Sequence, residues 1–148
     1  MLRRSRAREV ALQLLFQRDG NPKPVPRAAV EAFARERITD PPSIVFCLAL
    51  YDGVNANRDA IDALISGIAT NWRITRMMPA DRNVLRLATF ELRFAPKTEA
   101  VPVPVLLNEA IELSRRFGTA DSPAFVNGIL DKVAKTVPPP AAPTVPKA

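Results

Sequence analysis

The chain contains no histidine, and only one cysteine, one tryptophan and one tyrosine among its 148 residues. The missing histidine removes the commonest general base, the Ser-His and Cys-His nucleophile pairs, and the usual zinc ligands together. Aspartate and glutamate remain as acids and bases, but no glycine-rich phosphate loop accompanies them, so no catalysis, metal or cofactor is expected. Cys47 cannot form a disulfide within one chain, and its setting, SIVFCLAL, reads as that of a small buried hydrophobe. No apolar run approaches the roughly 18 residues that span a bilayer. Glu9 and Gln13 interrupt the segment behind the first arginines, so no signal peptide is read there and a cytoplasmic location is expected.

What is present fits one globular domain with a real core: 47% hydrophobic and 24% charged residues. The formal net charge is +6, which favours polyanionic partners, nucleic acid first and an anionic membrane surface second. The charge is unevenly placed. Arg3, Arg4, Arg6 and Arg8 precede the first acid, Glu9, and the rest of the chain is nearly balanced.

Helical spacing recurs throughout. Ala7, Val10, Ala11, Leu14 and Leu15 share one face of a first helix, expected to end near Asp19-Gly20 with the glycine free to take a left-handed cap. NPKPVP is a rigid connector before a second helix over 27–37 with Val30, Phe33 and Ala34 inward. TDPPSIVFCLALYDGV reads as an N-cap, first-turn prolines and a strongly buried helix; the run Ile44-Val45-Phe46 is compatible with a strand, but no partner strand is visible. Ile61, Leu64, Ile65 and Ile68 mark a helix from 57 to about 72, and Pro79 opens another carrying Val84, Leu85, Ala88 and Leu92. After the loop KTEAVPVP, Leu106, Ala110, Leu113 and Phe117 form a stripe closed by Gly118. The last helix is capped by Ser122, has Pro123 in its first turn, and turns Phe125, Ile129 and Val133 inward. The sum is an all-α bundle of about seven helices over residues 1–136, followed by a proline-rich tail, 137–148, too poor in apolar surface to fold.

Four places invite a functional reading. Four cations in a helix's first turns oppose its macrodipole, which favours acids there. Either they form a frayed, solvated start, or they await an external anion. In DSPAFVNG, Phe125 and Asn127 suit base stacking and amide readout beside free backbone N–H groups, and equally suit a core aromatic and a tolerated helix residue. Arg82, Arg86 and Glu91 read as a solvated helix face with a structural ion pair. Glu109 and Glu112 are helix neighbours without a catalytic companion, and Trp72 reads as a packing residue at a helix end.

Taken in order, RRSRAREVALQLLF, DRNVLRLATFEL, LNEAIELSRRFG and DSPAFVNGILDKV resemble the NusB family of transcription antitermination factors, over residues 3 to about 135. The resemblance implies two packed helical subdomains, no cofactor and no catalysis. It implies binding of the boxA element, a single-stranded stretch of ribosomal RNA leader transcripts, together with the small-subunit ribosomal protein that serves as NusE. Other Nus factors and RNA polymerase complete the assembly, with a homodimer of the free protein left open and no membrane partner.

Carried onto this chain, the family's RNA-binding residues fall on Arg3, Arg4, Arg6, Arg8, Phe16, Arg86, Phe125 and Asn127, and its partner surface on Asp121 and Asp81. Glu91, Asn108 and Glu109 match patterned positions assigned to structure. Ser5 interrupts an arginine run that is often unbroken in the family, and Phe16 stands where a tyrosine is frequent. Two alternatives compete: a helical protein-interaction module without direct RNA binding, and a relative of the RNA-targeting domain of rRNA methyltransferases, for which no methyl-donor motif is present.

Overall fold

The first helix, α1 (Leu2–Asp19), buries Ala7, Val10, Ala11, Leu14 and Leu15, the five residues that its spacing places on one face. The computed structural model describes residues 2–96 and 101–136. The expected tail, 137–148, and part of the KTEAVPVP loop lie outside the described residues. α1 packs along α3 (Pro41–Ala56), and α2 (Arg27–Arg37) covers both. Asp40 caps α3 by accepting from the Ser43 N–H at 3.1 Å, with Pro41 and Pro42 in the first turn, and the Ile44-Val45-Phe46 run is helical.

The second group comprises α4 (Arg58–Ile68), α5 (Pro79–Arg93), α6 (Val103–Phe117) and α7 (Ser122–Thr136). α5 is its axis. It touches α1, α3, α4, α6 and α7, and is buried without a break from residue 83 to residue 90. Among the described residues there are seven α-helices and no strand, the all-α architecture that the periodicity predicts. No described helix is long and apolar enough to cross a membrane.

Three local expectations need correction. α4 ends at Ile68 rather than near Trp72, because the apolar stripe stops there and residues 70–73 are exposed. A short 3-10 turn, Ile74–Arg76, then leads to Pro79. No described glycine has a positive φ, so Gly20 takes no left-handed cap. Gly118 closes α6 for want of space: a Cβ there would lie 2.3 Å from Ser122 Oγ. Ser122 is itself the first residue of α7, and its hydroxyl accepts from the Thr119 N–H at 2.9 Å.

Candidate nucleic-acid interface

The N-terminal arginines do not form one surface. Arg8 is 2% exposed and its guanidinium grips Glu91 of α5 through two hydrogen bonds, Nε to Oε2 at 2.7 Å and NH2 to Oε1 at 2.9 Å. A third, NH1 to Glu109 Oε1 at 3.4 Å, reaches α6. Burial alone would lower the Arg8 pKa, but the hydrogen bonds and charge of Glu91, joined by those of Glu109, raise it instead. Arg8 is therefore an internal tie among three helices, and its enclosure keeps it off any shared surface. Glu91 and Glu109 hold the structural role expected of them, and Ser5 adds to it by donating to Glu109 Oε2 at 2.8 Å.

Above this tie, Arg3, Arg4 and Arg6 occupy the first turns of α1, which is helical rather than frayed from Leu2 onward. Arg3 is exposed. Arg4 lies over the Phe46 ring of α3 at 4.1 Å, half-buried. Arg6 turns the other way, donating to Glu9 at 3.0 Å and to the Arg37 carbonyl at 3.3 Å, with its side chain still 44% exposed.

Along the Arg6 side of α1, Phe16 is 50% exposed and lines a groove of about 350 Å³ with Gln13, Phe33, Arg37 and Phe117. Arg37 lies 3.5 Å over the Phe33 ring. Phe33 and Phe117 come from elements far apart in sequence, so their meeting with Phe16 carries no sequence signal. The Gln13 side-chain Oε1 is enclosed without a hydrogen-bond partner among the described residues.

Phe125 is half-buried at the start of α7, and Asn127 and Asp121 are exposed there. Trp72 packs on one side only, against Phe125, and is not enclosed. It is 55% exposed and meets Phe125 edge-to-face, with ring centroids 5.8 Å apart.

Arg86 is 4% exposed and belongs to the interior, with Nε and NH2 on the two oxygens of Asp62 at 2.8 and 3.0 Å. Arg82 and Asn83 both donate to Asp19 Oδ2, at 2.6 and 3.0 Å, and Arg58 donates to Oδ1 at 3.3 Å. The expected solvated face of α5 is thus a partly buried ion-pair network joining α1, α4 and α5, with Arg86 at its enclosed centre. Burial would raise the Asp19 pKa, but the hydrogen bonds from Arg82 and Asn83 and the charges of Arg82 and Arg86 hold it below the usual carboxylate range. For Arg58, burial and the like charge of Arg86 push the pKa down. Asp81 is 7% exposed, and its Oδ1 is buried without a hydrogen-bond partner among the described residues. It stands in the first turn of α5.

Residues 5–135 match the model of the NusB family. The chain is 46% identical over 144 residues to the transcription antitermination protein NusB of an Anaeromyxobacter species, covering 93% of this chain and 94% of that protein. It is 40% identical over 132 residues to the protein of the same name from Bdellovibrio bacteriovorus, covering 89% and 95% of the two chains. Among solved structures, T. maritima NusB superposes with a TM-score of 0.78 at 36% identity, covering 90% of this chain and 91% of that one. A crystal structure of NusB and NusE with double-stranded RNA shares the fold, with a TM-score of 0.80 at 23% identity and coverage of 93% and 99%.

Proposed function

This chain belongs to the NusB family, and from that premise we propose that it is a transcription antitermination factor, not an enzyme, binding boxA-type single-stranded RNA of ribosomal RNA transcripts. A NusE-type ribosomal protein is its partner on the transcript, and other Nus factors and RNA polymerase complete the assembly in the cytoplasm. The observation that carries this reading is the mounting of Arg3, Arg4 and Arg6 on a helix pinned from beneath by the buried Arg8–Glu91 pair. Three cations mounted on a rigid element cost little backbone entropy when they meet phosphates.

In this arrangement Arg3, Arg4 and Arg6 neutralise phosphates, which position the strand without reading it. Phe16 and Phe125 supply faces for unstacked bases, and Asn127 an amide for their edges. Arg8 and Arg86 act from inside, holding α1 and α5 in place. Exposed Asp121 serves the partner side, with Asp81 in the first turn of α5 as its second acid. Binding to a short boxA-like RNA and to a scrambled RNA, each with and without the ribosomal partner, tests the reading. A preference for boxA that grows with the partner is the expected result, and equal weak binding to both RNAs would overturn it.

A further inference from the structure

The surface beside Phe125 has a composition that the sequence does not announce. Trp72, the sole tryptophan of the chain, follows α4 in an irregular segment and leaves more than half of its surface in solvent. With Asn71, Arg73 and Arg76 it lines an open hollow of about 420 Å³ that no acidic residue borders. Neither Arg73 nor Arg76 makes an ion pair among the described residues. Exposed arginines elsewhere are mostly paired: Arg27 with Glu31 and Asp52, Arg35 with Glu31, Arg37 with Glu36, Arg115 with Glu112 and Arg116 with Glu9. What sets the place apart is the juxtaposition: an exposed indole and two arginines without acidic partners line one hollow.

We propose that Trp72 and Phe125, with Arg73 and Arg76, form a stacking platform for a base of single-stranded RNA and the phosphates on either side of it. The inference rests on the RNA-binding reading above and extends it to three residues that the reading does not use. The edge-to-face contact with Phe125 holds the indole in one orientation while most of it stays open. Aromatic faces accept any base, and two guanidiniums within the same hollow meet the backbone charge. A protein partner would need acids to match Arg73 and Arg76 as well as an apolar cap for the ring. A single strand brings both together in every nucleotide.

The lone tryptophan makes the test direct, because all indole emission comes from the site. Emission is followed while a labelled boxA-like RNA is titrated into the full chain, with anisotropy of the label reporting binding independently. The platform predicts quenching that tracks the anisotropy curve. Trp72→Ala weakens binding roughly 5- to 150-fold, the range seen for loss of one base–aromatic stack, and Trp72→Phe retains most of it. Arg73→Ala with Arg76→Ala lowers the magnitude of the log-affinity against log-salt slope by about 1.4, at about 0.7 per contact. Binding by anisotropy with unchanged indole emission overturns the platform and leaves the RNA reading standing. Absence of RNA binding at any salt overturns both. Quenching by the ribosomal partner alone, with none by RNA, assigns the surface to protein and also overturns the proposal.

Discussion

Arg8 and Glu91, 83 residues apart, face each other through two parallel hydrogen bonds of 2.9 and 2.7 Å with both side chains buried. Such a pair is held by geometry, and losing one partner leaves a charge stranded in a low-dielectric interior. Arg8→Met is expected to cost about 3–5 kcal/mol in urea unfolding. Adding Glu91→Met should recover most of that loss, because two apolar side chains replace the pair. A double variant no more stable than Arg8→Met would show that the pair is not the unit.

Asp19 is the meeting point of α1 with the arginines of α4 and α5. Its folded pKa lies below its unfolded value, so its stabilising contribution is present above the unfolded value of about 3.9 and is lost as pH falls through the folded one. Asp19→Asn should lower stability at neutral pH and flatten the fall in stability below about pH 4. Thermal melts of both proteins across that window check the sign. An identical acid profile would remove Asp19 from the network.

Two glycines should answer oppositely to alanine. At Gly53 a Cβ would stand 2.1 Å from Phe90 Cζ, where α3 crosses α5. Gly53→Ala should cost about 1–3 kcal/mol by overpacking, with Phe90→Leu restoring part of it. At Gly67 nothing lies within 4 Å of the added carbon, so Gly67→Ala should stabilise α4 by about 0.4–1 kcal/mol. Denaturant midpoints for the two variants decide it.

Cys47 is fully buried in α3, and burial pushes its thiol pKa up to about 12. The thiolate is the reacting form, so an aromatic disulfide reagent should leave the folded protein untouched. Reaction should follow global unfolding in urea. Fast labelling of the native chain would contradict the packing of α3 against α1.

Helix positions were legible because burial follows spacing. Val30 and Ala34, Ile61 and Ile65, and Leu106, Ala110 and Leu113 all lie inside as their periodicity demands. The role of each arginine was not. Arg4 and Arg8 share a face by count, and their different fates depend on partners in α3, α5 and α6. One signal was present: Arg8 sits on the same stripe as Ala11, Leu12 and Leu15, all buried. The exposure of Trp72 depends on where α4 stops, and helix ends are set by what the next segment has left to bury. The grouping of Phe16, Phe33 and Phe117 follows from packing alone.

The central claim is that Arg3, Arg4 and Arg6, in the first turns of a pinned helix, meet RNA phosphates, and the salt dependence of binding tests it most directly. Affinity for a boxA-like RNA is measured over a range of salt for the unchanged chain and for the variant with Arg3, Arg4 and Arg6 all replaced by alanine. The account predicts that the magnitude of the log–log slope falls by about 2 in the variant, three contacts at about 0.7 each. The Arg8→Met, Glu91→Met protein should keep the full slope. A triple variant with an unchanged slope would contradict the account.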